Sequence, residues 1–172
     1  PANALRLFES KYAENPNDAN LYGLALAYKK NNNFNEGLAS LDKLLEKYPK
    51  NLVLNTTKVE FLSYFNKFND ALDLANKFLE ISPKNYPLSI SKSQILLNMG
   101  QYFESEEIIR DQLLRKNDSP ELWFMLSETQ KTSQNIVGYH QSRAEYFLLL
   151  GQDEKALNQL EFALQLTQNN FQ

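Results

Sequence analysis

Residues 18–49 read DANLYGLALAYKKNNNFNEGLASLDKLLEKYP, and this stretch decides the fold. Leu21, Leu24, Ala25 and Tyr28 fall at i, i+3, i+4 and i+7, one apolar stripe on a helix over about Asp18–Lys30. Leu38, Leu41, Leu44 and Leu45 form a facing stripe on a second helix over about Asn35–Tyr48. Asn31, Asn32 and Asn33 between them are turn chemistry. Neither helix buries its stripe alone, so the pair needs neighbours.

The neighbours are copies of the same unit. Small residues that let two helices approach closely, Ala4, Gly37, Ala71 and Ser105, recur about every 33 to 34 residues. One helical turn later comes a parallel series, Phe8, Leu41, Ala75 and Ile109. Pro16, Pro49 and Pro83 keep the same spacing, each after an apolar-periodic stretch that proline cannot continue. The spacing predicts a half repeat over 1–16 and repeats over 18–49, 52–83 and 86–117.

The next small residue of this kind is Ala156, about 51 residues after Ser105, or one and a half repeats. An extra, unpaired helix is therefore expected at 120–132, followed by a last repeat over 137–170 that turns at Gly151. About ten helices in a single array result.

Composition agrees with an all-α chain and narrows what it does. Five Gly and six Pro in 172 residues are few, and 42% hydrophobic content supports one continuous core. A net charge of −3 with both signs interspersed offers no electrostatic footprint for nucleic acid. No apolar run approaches the roughly 20 residues of a membrane span, so no membrane insertion is expected. With no Cys and one His, disulfides, thiol chemistry and cysteine zinc sites are excluded. There is no glycine-rich phosphate loop and no GxSxG elbow, so no catalytic residue, metal ligand or cofactor is assigned. The chain opens at Pro1 rather than Met, and a fragment of a longer protein is expected.

Period, small residues and prolines together resemble the tetratricopeptide-repeat family over nearly the whole chain, which implies an all-α solenoid that binds proteins. A closer resemblance rests on Asp18-Ala19-Asn20-Leu21-Tyr22-Gly23, on Ser142-Arg143-Ala144-Glu145-Tyr146-Phe147, and on Leu150-Gly151-Gln152 with Ala156-Leu157. These look like the C-terminal repeat region of BepA-type periplasmic zinc metalloproteases, which tend outer-membrane assembly, and the half-repeat insertion fits that family too. The resemblance implies a periplasmic, non-catalytic module following a protease domain whose zinc and HExxH motif lie upstream. Its implied partners are the outer-membrane β-barrel assembly machinery, its substrates, or the parent's own protease domain. The alternative is a free-standing, cytoplasmic adaptor that assembles a multiprotein complex.

In such arrays the binding face is lined mainly by first helices. With the core stripe inward, Tyr22, Leu26, Lys29, Glu60, Tyr64, Ile90, Gln94 and Leu97 are the candidate protein-binding residues. Tyr22 and Tyr64 are the expected anchors, with repeat packing as the competing role. The Lys and Asn clamp by which some repeats grip a terminal carboxylate is not expected, because the corresponding positions read Tyr22, Leu26, Thr57, Pro87 and Ser91. Trp123 is expected in the core, His140 in packing or at the surface, and Arg143 paired with Glu145. Glu104, Glu106 and Glu107 read as a solvated face, and Lys29 and Lys30 as helix-end cations.

Overall fold

A computed structural model describes residues 2–169. It consists of α1 (Ala2–Glu14), α2 (Asp18–Lys30), α3 (Phe34–Lys47), α4 (Leu52–Tyr64), α5 (Phe68–Ile81), α6 (Tyr86–Asn98), α7 (Tyr102–Leu113), α8 (Pro120–Thr132), α9 (Ile136–Leu149) and α10 (Asp153–Asn169). Ten helices and no strand make the described residues all-α, as the periodicity predicts. The expected end of the last repeat, position 170, lies outside the described residues. Packing groups the chain into two compact units, Pro1–Ser91 and Lys92–Gln172, and each is described by itself.

Local chemistry starts each first helix. The Asn17 side chain accepts from the Asn20 amide at 2.9 Å, Asn51 from Leu54 at 3.1 Å, Asn85 from Leu88 at 3.0 Å and Ser119 from Leu122 at 3.4 Å. These are N-caps that satisfy otherwise orphaned amides, and Pro120 follows the last of them at the first helical turn.

The same helices also end alike. Asn32, Asn66, Gly100 and Gln134 have φ of 60°, 58°, 78° and 63°, the left-handed conformation that terminates a helix. The amide after each closes onto the carbonyl five residues back: Asn33 to Tyr28, Lys67 to Leu62, Gln101 to Leu96 and Asn135 to Gln130, at 2.8–3.0 Å.

These series pass through α8, which pairs with α9; α9 carries the same marks, with Asn135 accepting from the Gly138 amide at 3.1 Å and the Gln152 amide closing onto the Phe147 carbonyl at 2.9 Å beyond Gly151 (φ 67°), and so it also turns into α10 as a first helix does. The helix expected to stand unpaired at 120–132 thus packs on α9, while the last pair, α9 with α10, keeps its expected turn at Gly151. Gly138, buried on α9, restores the small-residue series that was expected to lapse until Ala156. A Cβ there would lie 2.6 Å from Asn135 Nδ2 and 2.9 Å from Gln130 Nε2, so a larger residue would displace these two side-chain amides. Ser142, one turn further, is buried as well.

In the first unit, Leu21, Leu44 and Leu54 form one buried cluster and Ala25, Leu41 and Phe61 another. Each joins α2, α3 and α4. Gly37 allows this, since a Cβ there would sit 2.6 Å from the Phe61 ring, which is fully buried. In the second unit the close approach is polar: Ser93 Oγ and Ser105 Oγ lie 2.9 Å apart, and the Ser105 hydroxyl also lies 2.9 Å from the Ser93 carbonyl. Gln130, fully buried, donates to Glu106 at 3.0 Å and accepts from the Ser142 hydroxyl at 2.7 Å. Glu106 also takes Arg110 at 2.6 Å. It is a structural acceptor joining α7 to α8, which corrects its reading as part of a solvated face.

Candidate functional site

The first unit carries an open, largely apolar cavity of about 470 Å³ between α1, α2 and the end of α4. Leu26, Lys29 and Tyr64 line it together with Ala4, Phe8 and Gly23. Three of the eight sequence-assigned residues therefore converge.

Lys29 and Tyr64 are coupled. The Lys29 ammonium lies 5.3 Å from the centroid of the Tyr64 ring, a cation–π arrangement. Burial lowers the Lys29 pKa, and the nearby Glu60 carboxylate opposes that shift. Tyr64 is 51% exposed; its hydroxyl donates to Asn32 Oδ1 at 3.2 Å and its ring meets Phe65 edge-on at 5.1 Å. A half-exposed aromatic beside a partly desolvated cation is suited to a partner group with an apolar body and a negative charge.

Tyr22 behaves differently. It packs against both buried clusters of the first unit, and its hydroxyl lies 3.0 Å from Thr57 Oγ1. Thr57 donates its own proton to the Val53 carbonyl at 2.9 Å, so Tyr22 is the donor. Part of its ring borders a separate depression of about 410 Å³ with Tyr48 and Val53. Glu60 is exposed and Ile90 half-buried. Gln94 and Leu97 belong to the second unit, where Gln94 is exposed and donates to Asn98 at 3.4 Å.

Phe8 and Gly23 are two of the five cavity residues, with Ala4, Ala27 and Lys30, that sequence reasoning did not assign to the site. Glycine inside a helix costs up to about 1 kcal/mol relative to alanine, and that mismatch was the available signal. A Cβ on Gly23 would stand 2.3 Å from Phe8 Cε1.

In the second unit Trp123 is half-buried rather than enclosed, and its indole N–H donates to the Asn117 carbonyl at 2.8 Å. His140 Nδ1 lies 2.8 Å from Gln159 Oε1, and its ring packs on Tyr139 and Phe162. Arg143 lies 3.7 Å from Glu128 instead of pairing with Glu145, and its guanidinium stacks over Phe124 at 4.7 Å and Tyr146 at 5.1 Å. It ties α9 to α8. Among the described residues no group of three or more His, Asp or Glu converges to hold a metal ion, and no helix is long and apolar enough to cross a membrane.

No profile of a known protein family matches the sequence, and no curated protein matches it. Solved structures do. The thermophilic tetratricopeptide-repeat protein TTC0263 of Thermus thermophilus superposes with a TM-score of 0.70 at 20% identity, over 93% of this chain and 88% of that one. A tetratricopeptide-repeat protein of Parabacteroides merdae gives 0.66 at 16% identity, over 95% and 71%. A chain of the Naa15/Naa10 complex bound to HypK gives 0.69 at 22% identity, over 88% of this chain and 23% of that one. The helices described above thus superpose on those of solved repeat proteins, and the fold of this chain is the tetratricopeptide-repeat fold.

Proposed function

We propose that this chain is a non-catalytic protein-binding module whose first-helix face, centred on Leu26, Lys29 and Tyr64, takes a segment of another polypeptide. The observation that carries this is the open apolar cavity with Lys29 held under the Tyr64 ring. An exposed concave apolar surface with a few convergent polar groups is a recognition site before it is anything else. The structural neighbour bound to HypK supports the same use of the fold.

A photo-crosslinking amino acid in place of Tyr64, compared with one at the exposed Glu46 on α3, tests the reading. Polypeptide captured from position 64 and not from position 46 is the expected result. Equal capture from both, or none, removes the site.

The proposed setting is a repeat module of a BepA-type periplasmic metalloprotease, acting on outer-membrane assembly machinery or its substrates. It rests on the short matches at 18–23 and 142–157. The half-repeat insertion no longer supports it, because Gly138 keeps the period intact. A coding sequence upstream of Pro1 with a signal peptide and an HExxH segment is the expected finding; its lack would favour the free-standing adaptor.

A further inference from the structure

The second helices α3, α5 and α7 differ on their outward faces. On α3 that face carries Asn35 and Glu46, and on α5 it carries Asn69 and Glu80, all four exposed. The same repeat positions on α7 are Phe103, 72% exposed, and Leu114, 87% exposed. Single apolar residues scattered over a surface are ordinary, but these two share one face of one helix with opposite charges between them.

Phe103, Glu107, Arg110 and Leu114 fall at i, i+4, i+7 and i+11, one stripe of a helix that Leu114 continues with φ −59° and ψ −24°. Glu107 is exposed and has no ion-pair partner among the described residues. Arg110 gives Nε and Nη2 to Glu106 at 2.9 and 2.6 Å, and its side chain is still 54% exposed. An open depression flanks each end of the stripe. One, of about 610 Å³, is lined by Leu113, Leu114 and the half-buried Trp123 together with Glu107 and Arg110. The Trp123 N–H is already bonded to the Asn117 carbonyl, so what its ring offers there is apolar. The other, of about 490 Å³, is lined by Phe103, Ser133 and Asn135 among others.

This stripe is its own complement. If two copies of α7 pack antiparallel about a two-fold axis at the level of Ile108 and Ile109, each position meets the one equally far on the other side. Phe103 then faces Leu114 of the other copy, Glu107 faces Arg110 of the other copy, and each contact occurs twice. A parallel pairing would set Glu107 on Glu107 and Arg110 on Arg110. Sliding the antiparallel pair by three residues in either direction makes one of those like-charge contacts as well, so charge selects a single register.

We infer that the chain forms a two-fold dimer through the outward face of α7. Phe103 of each copy enters the depression at Leu114 and Trp123 of the other, and two Glu107–Arg110 ion pairs cross between the copies. An aromatic side chain seated beside a tryptophan is the kind of anchor that carries an interface, while exposed ion pairs add little affinity and fix the register. Because the same patch serves both copies, association closes at two. The face uses none of Leu26, Lys29 and Tyr64, so the proposed polypeptide-binding cavity stands or falls separately.

Sedimentation equilibrium on the full chain tests the dimer. With rising concentration the wild type is expected to approach twice the 19.9 kDa of one chain and to go no further. Phe103→Asn and Leu114→Glu, which install the residue types of α5, stay at the mass of one chain with an unchanged circular dichroism spectrum. Glu107→Arg and Arg110→Glu each set like charges across the axis and stay monomeric alone. Mixed in equal amounts they pair, because one copy then offers two cations where the other offers two carboxylates.

A wild type that remains a monomer to about 1 mM overturns the inference. So does a mass that climbs beyond twice that of one chain, or a Phe103→Asn variant that associates like the wild type. A Glu107→Arg variant that dimerises alone, or a charge-reversed mixture that stays monomeric, overturns it too.

Discussion

Gly23 on α2 and Phe8 on α1 approach so closely that a methyl group on Gly23 would lie 2.3 Å from Phe8 Cε1. Gly37 stands against Phe61 in the same way, with its hypothetical Cβ 2.6 Å from the ring. The two phenylalanines differ in their freedom. Phe8 is half-buried beside a cavity, whereas Phe61 is fully enclosed.

The same substitution should therefore have two outcomes. Gly37→Ala has no space to displace Phe61 and is expected to cost about 1–3 kcal/mol. Gly23→Ala can push Phe8 into the cavity, and the helix propensity it gains, about 1 kcal/mol, offsets much of the strain. Urea midpoints of the two variants check the ranking. Equal destabilisation would show that Phe8 is as fixed as Phe61.

Tyr22 is a packing residue with a hydrogen bond, so its removal should be felt in stability. Tyr22→Phe deletes the bond to Thr57 and is expected to cost about 0.5–1.5 kcal/mol. Tyr22→Ala also loses ring contacts to both buried clusters and should cost more, about 2–4 kcal/mol. Tyr64→Ala, at a half-exposed position, should stay within about 1 kcal/mol. Thermal melts of the three separate core from surface; a Tyr64→Ala variant that melts earlier than Tyr22→Ala would reverse the assignment.

Lys29 gives a pH dependence. Burial lowers the pKa of its amine, so between that lowered value and the ordinary lysine value of about 10.4 the unfolded chain holds more protons than the folded one. Its contribution to stability is least favourable below the lowered value and improves as pH rises through that window. Lys29→Met removes the titration and should be at least as stable as the wild type at neutral pH, the gap narrowing toward about pH 10. Denaturation at the two pH values measures it. A variant clearly weaker at neutral pH would mean that Tyr64 and Glu60 outweigh the burial.

Gln130 holds the fourth helix pair together from within. Gln130→Leu leaves the buried Ser142 hydroxyl without its acceptor and takes one donor from Glu106, and is expected to cost about 1–3 kcal/mol. Gln159→Leu, which loses a half-buried bond to His140, should cost less than about 1.5 kcal/mol. Chemical denaturation of both decides; a neutral Gln130→Leu would show that the α8–α9 contact does not depend on the network.

The sequence by itself determined the helices, their pairing through the third repeat and their approximate ends. Those features come from local chemistry that each residue carries with it: leucine stripes at helical spacing, small residues once per repeat, and prolines at 16, 49 and 83. Two further series at the same period, the caps Asn17, Asn51, Asn85 and Ser119 and the left-handed Asn32, Asn66, Gly100 and Gln134, are also legible and bring α8 into the repeat. Their signal is weak because Asn, Ser and Gln are common in ordinary loops, and because the proline series stops at Pro83, with Asn117 one period on.

Only the tertiary structure decided which outward residues of the first helices stay available. Tyr22 and Tyr64 are the same residue type on equivalent helices, yet Thr57 holds one in the packing and Lys29 leaves the other half in solvent. Exposure is a property of the neighbour as much as of the residue, and neighbours from different repeats meet only when the helices stack.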